Sequence, residues 1–155
     1  MVFLFSLKKV VIKISIILLP FFSFVSSTGE FEAAIGAGHE YGGVLGGQFA
    51  YKTEYSKYYA SVGIVGFSTG FQTTFSKNSK HAYGVTLGAE AMESSEGFLF
   101  ATYNYHFKGF SNNGFVVGTG VGFTKGDSAW PGNCFIDCPS AEKKAMVTLN
   151  IGYKF

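Results

Sequence analysis

The last ten residues, Met146 to Phe155, alternate strictly between two kinds of side chain. Val147, Leu149, Ile151, Tyr153 and Phe155 fall on one side; Met146, Thr148, Asn150, Gly152 and Lys154 fall on the other. A period of two over about ten residues predicts a half-buried strand of bilayer-crossing length. In a water-soluble barrel the face opposite the large apolar residues would carry Lys and Glu. Here that face is small or polar and nearly uncharged, which suits an inside-out strand with lipid outside and a polar interior.

Similar alternation recurs upstream between turn signals. Strand one is predicted over 31–39, with Phe31, Ala33, Ile35 and Ala37 outward, and Tyr41-Gly42-Gly43 turns it. Strand two covers 44–52, with Leu45, Gly47, Phe49 and Tyr51 outward, and 53–57 is a polar turn. Strand three covers 58–67, with Ala60, Val62 and Ile64 outward. A short turn at Ser68-Thr69-Gly70 leads to strand four, 71–76, closed by 77–80. Strands five, six and seven are predicted over 81–91, 98–107 and 115–124. A long connection, 125–145, precedes strand eight. Eight is even, so both ends of the barrel chain fall on one side. The expected fold is therefore all-β, a closed antiparallel eight-stranded transmembrane β-barrel. The aromatics Phe31, Tyr51, Tyr58, Phe75, Tyr83, Phe107, Phe115 and Tyr153 all land at that same end, as an interfacial girdle would.

Composition agrees with strands rather than helices. Charged residues are only 14% of the chain and aromatics 18%, yet no apolar run reaches the length a spanning helix requires. The amino-terminus reads as a secretory signal: Lys8, Lys9 and Lys13, a short apolar stretch over 14–25, then small residues. Residues 1–27 are the expected signal peptide and 28–155 the barrel domain. Without the signal the chain keeps nine Lys, no Arg and ten carboxylates, a net charge of −1. No basic face remains for nucleic acid. Cys134 and Cys138 form an even pair in an exported chain and are read as a disulfide, with two free or metal-binding thiols as the alternative.

An eight-stranded barrel has room inside for side chains or one small ligand. Inward glycines such as Gly36, Gly118, Gly120 and Gly152 relieve crowding under larger groups such as Phe100. Three readings stay open: a filled interior, an acyl-chain cavity and a narrow wet channel. The inward polar positions are Glu32, Glu90, His106 and Lys154, joined by Lys52 and by Gln48, Gln72, Thr102, Asn104 and Asn150. An ionised Glu there needs a partner. Glu32, Lys52, His106 and Lys154 are expected to plug the periplasmic end as an ion-pair network. Acidic residues predominate at the outer side (Glu40, Glu90, Glu93, Glu96, Asp127, Asp137 and Glu142), where divalent cations could bridge them to lipopolysaccharide phosphates.

The aromatic carboxy-terminal strand, with Tyr153 and Phe155, resembles the terminal strand of bacterial outer-membrane barrels, and the architecture over 31–155 is similar to small barrels of the OmpA and OmpX sort. The resemblance implies placement in the bacterial outer membrane as a multi-pass monomer. It also implies contact with outer-membrane lipids and lipopolysaccharide, and an assembly machinery that reads Tyr153 and Phe155. Some barrels of this size are lipid-modifying enzymes, acyltransferases or deacylases that use His with Ser and an acid near the outer surface. His39-Glu40 falls at an expected outer rim, with Ser68, Ser94 and Ser95 in outer loops, but no His-x-Ser pair occurs in the chain. No catalytic residue, metal or cofactor is assigned on that basis. The leading expectation is a structural or surface-interaction barrel, with an enzyme or a narrow lipid or solute conduit as alternatives. Its candidate contact site is 125–145, where a Cys134–Cys138 ring would present Phe135 and Ile136, with Trp130 on the turn just before it, to a host or other surface partner, or all three would fold over the mouth as a lid.

Overall fold

The alternating segments pair edge to edge and return to the first. In a computed structural model, which describes residues 29–91, 94–126 and 142–155, eight strands run antiparallel in chain order. They are β1 (Glu30–Gly38), β2 (Gly43–Lys52), β3 (Ser56–Gly63), β4 (Gly66–Thr73), β5 (His81–Glu90), β6 (Ser94–His106), β7 (Gly114–Gly126) and β8 (Glu142–Lys154). β8 also pairs with β1, so the sheet is a closed barrel. The expected signal peptide lies outside the described residues, as do Trp130, Cys134, Phe135, Ile136 and Cys138.

Parity along each strand sorts the side chains. Outward positions hold Phe31 (89% exposed), Val62 (73%) and Leu149 (76%), together with Phe49, Leu87, Val121 and Ile151. Inward positions hold buried Gln48, Ser61, Gln72, Thr86, Asn104 and Asn150. The usual arrangement of a soluble protein is reversed: apolar surface outside, hydrogen-bonding groups inside. Outward threonines hide their hydroxyls on backbone carbonyls, Thr69 on Tyr59 O at 2.8 Å and Thr119 on Thr148 O at 3.0 Å. Such bonds would reduce the penalty if the exterior faced a medium that cannot hydrogen-bond. At the end marked by Lys154, ring contacts join Phe31 to Tyr51, Tyr58 to Phe71, Phe75 to Tyr83, and Phe115 through Tyr153 to Phe155.

The strands are unequal. β6, β7 and β8 each have 13 residues, while β3 and β4 have 8. The stagger between them is read at the seam. Phe155 N–H donates to Ala33 O at 2.9 Å across the β1–β8 seam. Followed the other way, Ala33 pairs through Phe49, Ala60, Thr69, Leu87, Leu99 and Phe123 to Ala145. Positions 145 and 155 of β8 are thus both level with Ala33, a shear of ten residues. Closing a barrel requires such an offset and tilts the strands by roughly 35–45°. As a result β1 and β8 share only the pairs from Ala34↔Lys154 to Ala37↔Ile151, and among the described residues the rest of β8 toward Glu142 has no strand on its β1 side.

Some strands are longer than expected: β6 begins at Ser94 rather than 98, and β7 and β8 extend to Gly126 and from Glu142 into the expected 125–145 connection. Two turns also differ from the sequence-based expectation. Ser68, Thr69 and Gly70 are not a turn but lie within β4; the chain reverses at Ile64-Val65, between Gly63 and Gly66. That turn is apolar, so it reads as strand. It needs no polar side chains because Ile64 N–H donates to Leu45 O and Val65 O accepts from Ala91 N–H. The count of eight is unaffected. The second difference is larger. His39-Glu40-Tyr41 does not sit at a rim: it forms a single 3-10 turn that folds into the lumen, with all three residues buried. Gly42 ends it in a left-handed conformation (φ 80°). The Tyr41 ring lies over Gly36 and Gly152, where any side chain would collide with it.

This inserted turn explains the glycines beneath it. A Cβ at Gly46 would meet the Tyr41 carbonyl and the Gly63 backbone, whereas one at Gly47, facing outward, meets nothing within 4 Å. Gly46→Ala is expected to destabilise the folded barrel by about 1–3 kcal/mol through overpacking. Gly47→Ala should stay within about 0.5 kcal/mol of the parent. Urea unfolding in detergent, followed by tryptophan fluorescence and gel migration, compares the two.

Candidate functional site

Three groups of polar side chains occupy the lumen, stacked from the His39 end to the Lys154 end. The middle one is centred on Glu40, which is 1% exposed. Its Oε1 accepts from Tyr59 Oη (3.4 Å), Gln72 Nε2 (3.3 Å) and Asn104 Nδ2 (2.9 Å). Its carbonyl accepts from Ser61 Oγ (2.7 Å), Ser68 Oγ (2.9 Å) and Gln48 Nε2 (3.3 Å), and its N–H donates to Asn150 Oδ1 (3.2 Å). These partners come from β2, β3, β4, β6 and β8. Among the described residues no Lys or His lies within ion-pair distance of this carboxylate; neutral donors alone hold it. Phe100 and Asn104 fill the adjoining lumen.

The group at the Lys154 end is ionic. Glu32 is flanked by Lys57 (3.3 Å), Lys52 (3.5 Å) and Lys154 (3.5 Å), and all four are buried. Lys52 also reaches Glu30 at 3.7 Å. The turn after β6 folds across this end. Lys154 Nζ donates to Phe110 O (2.8 Å) and Lys52 Nζ to Ser111 O (3.0 Å), with the Phe110 ring buried beneath. Of the five interior residues singled out in the sequence, Glu32, Lys52 and Lys154 come together here. His106 packs edge-on against Phe110 (5.3 Å between ring centres), and neither ring nitrogen has a hydrogen-bond partner among the described residues. Glu90 is at the opposite end. Lys57, taken in the sequence for a turn residue, belongs to the network: β3 begins at Ser56, and inward Tyr59 and Ser61 set the parity that places Lys57 inside.

The third group lies at the His39 end, beside the seam. His39 Nδ1 is 2.8 Å from Thr148 Oγ1, and its Nε2 is 3.0 Å from Glu90 Oε1. The second contact is close but not directed along a hydrogen bond. Phe98 and Phe100 hold the ring edge-on, with centres 5.1 and 5.0 Å away. Ser94, paired in register with Glu90, is fully buried and its hydroxyl has no partner among the described residues. A cleft of about 350 Å³ opens here, lined by His39, Glu90 and Thr148 and walled by Ala37, Val44, Val65, Met146, Val147 and Leu149. Its lining includes inward and outward residues of β8, so it passes through the wall at the seam.

The Ser–His–acid set considered from sequence is therefore rearranged. Glu40 is not beside His39's ring but at the centre of the lumen, Ser68 bonds the Glu40 carbonyl, and Ser95 is exposed. His39 meets Thr148 and Glu90 instead. Only pairing between distant strands brings these three together, since they are far apart in the chain. No cluster of three or more His, Cys, Asp and Glu suited to a metal ion occurs among the described residues. Compared with family models, with curated proteins and with solved structures, the chain gives no match.

The ionic group gives a direct test of what closes the Lys154 end. Glu32→Gln leaves three buried ammonium groups around a neutral amide, and loss of one member of a buried ion pair typically costs about 3–5 kcal/mol. A drop of that size in unfolding free energy is expected. Glu30→Gln, whose carboxylate is mostly exposed, should be nearly silent in the same measurement.

Proposed function

We propose that this protein is an integral outer-membrane β-barrel, closed to solutes, that works through its lipid-facing wall and its outer surface rather than through a pore. The observation that carries this reading is the pairing of an apolar exterior with a filled lumen. Between the aromatic belt and the His39 end, outward strand positions carry no Lys, Asp or Glu among the described residues. The run from Phe115 to Phe123 rises roughly 20 Å, taking about 3.3 Å per residue and a tilt near 40°. Apolar bands of membrane barrels are about 25 Å tall. Inside, the Glu40 turn and the Glu32–lysine group each span the lumen, which disfavours the conduit reading. Partners in this placement are outer-membrane lipids and lipopolysaccharide, with Tyr153 and Phe155 serving assembly. Because β7 runs to Gly126 and β8 starts at Glu142, the candidate contact site for a host or other surface partner narrows from 125–145 to the connection between those strands, with Trp130, Phe135 and Ile136.

Fractionation tests the placement. The protein should appear in the outer-membrane fraction, show a β-type circular dichroism spectrum in detergent and migrate differently on gels with and without boiling. Full solubility without detergent would overturn the reading. In planar bilayers it should give no stable conductance steps, whereas removing both seals, by deleting 39–41 and replacing Glu32, Lys52, Lys57 and Lys154 with alanine, should create them if the barrel still closes. For the contact loop, Trp130→Ala should weaken binding to a target cell or lipid surface while leaving unfolding unchanged; the reverse pattern would make the loop a lid.

A further inference from the structure

We propose that the seam cleft is a hydrolytic site for fatty-acyl esters of membrane lipids, with Thr148 as nucleophile, His39 as its base and Glu90 as the residue that positions the ring. This goes beyond the closed-barrel reading, which is tested separately by fractionation and conductance. Four features meet in one place. The Thr148 hydroxyl is 2.8 Å from His39 Nδ1. If that hydroxyl donates, Nδ1 is the acceptor and the ring proton sits on Nε2, the atom 3.0 Å from Glu90 Oε1. A hydroxyl, an imidazole and a carboxylate in series are the parts that activate an alcohol nucleophile. Contacts of this kind are often imperfectly aligned before substrate binds, which is how the Glu90 contact is found.

The third feature is a source of oxyanion donors. The bond from Phe155 N–H to Ala33 O shows that odd-numbered residues of β8 turn their backbone polar groups toward β1. The β1–β8 ladder ends at Ala37↔Ile151. Val147, next to Thr148 and lining the cleft, therefore presents its N–H to the gap, with no strand opposite among the described residues. A backbone N–H facing a nucleophile across a water-poor site is suited to a developing oxyanion. The fourth feature is access. The cleft passes between outward Ala37, Val44, Val147 and Leu149, so an acyl chain could enter from the lipid side with its ester leading.

In the first step Thr148 Oγ bonds to the ester carbonyl carbon as its proton moves to His39 Nδ1. The carbon–oxygen bond to the alcohol then breaks, and the alcohol leaves with that proton. Water attacks the acyl-threonine, giving its proton to His39. The carbon–Oγ bond breaks, the free fatty acid departs, and the proton returns to Thr148. Ester and water are consumed; acid and alcohol are released.

The full chain, expressed into the outer membrane and extracted in detergent, should hydrolyse p-nitrophenyl decanoate. An alkyl fluorophosphonate should label Thr148, as mapped by mass spectrometry. Thr148→Val and His39→Gln should each lower turnover at least about a hundredfold, the usual scale for losing a nucleophile or general base, with heat-dependent gel migration retained. Thr148→Ser should keep both turnover and labelling, and Glu90→Asp should recover part of what Glu90→Gln loses, neither of which a purely structural role predicts. The proposal is overturned if the folded wild type neither hydrolyses the ester nor is labelled. Labelling at another residue, or a folded Thr148→Val that keeps full turnover, would also overturn it. Should Thr148→Val fail to fold, the labelling site and Thr148→Ser still decide the matter.

Discussion

The structure depends on one buried carboxylate group and the turn that carries it. Glu40 reaches the middle of the lumen only because residues 39–41 leave the sheet and fold inward, and it stays there because five strands each offer it a hydrogen-bonding group. A carboxylate in such a place is costly unless its lone pairs are engaged. Charge-assisted hydrogen bonds from neutral amides and hydroxyls are the stronger kind. Because the partners lie on β2, β3, β4, β6 and β8, the network also ties strands that are not neighbours. A sheet closed only by ladder bonds fixes each pair of strands. A central acceptor bonded to several of them fixes the cross-section as well.

Shear supplies the complement. A barrel of this size must offset its strands to close, and here the offset falls at the β1–β8 seam, where the ladder is short. The inserted turn patches that seam from within: Tyr41 covers Gly36 and Gly152, Glu40 N–H bonds Asn150, and His39 meets Thr148. The plug and the cleft are thus one feature. His39 is the residue before Glu40, so whatever anchors Glu40 also sets how far the imidazole reaches toward β8. Any chemistry at the seam rests on a carboxylate that takes no part in it.

Much of this was legible in the sequence because a period of two leaves little freedom. Outward Leu149, inward Asn150 and outward Ile151 follow from alternation alone, and the strand count follows from the turns. The errors have physical sources. Ile64-Val65 turns without Gly-Pro-Asn chemistry because neighbouring backbone groups satisfy it, so Ser68-Thr69-Gly70 looked the better turn. Lys57 was missed by a strand boundary drawn at Tyr58. The burial of His39, Glu40 and Tyr41 was hidden because Gly-His-Glu-Tyr-Gly-Gly has the composition of an exposed polar turn. One signal was available. Gln48, Gln72, Asn104 and Asn150 were all read as inward, and so many neutral donors and acceptors in a narrow barrel require something polar between them. The partner had to come from outside the strands, and Glu40 is an acid on a short glycine-flanked connection. The convergence of His39, Glu90 and Thr148 had no such signal, since it depends on register across the closed sheet.

The two ends of the lumen are sealed by different physics, and the difference has consequences. At the Lys154 end three ammonium groups share the charge of Glu32; Lys154 and Lys52 also donate to backbone carbonyls of the Phe110 turn, and Lys57 to Gln48 Oε1. Such a group resists water entry because each cation is already coordinated, but it carries excess positive charge that, among the described residues, only Glu30 at the surface partly offsets. Toward the His39 end the closure is the Glu40 carboxylate held by neutral donors, beneath a cleft open to the side. A solute would have to break both seals in succession to pass. An acyl chain arriving through the wall would meet neither, because the cleft lies above the Glu40 layer. The barrel is therefore closed along its axis and open at its seam, and the seam is where polar side chains and apolar surroundings come together.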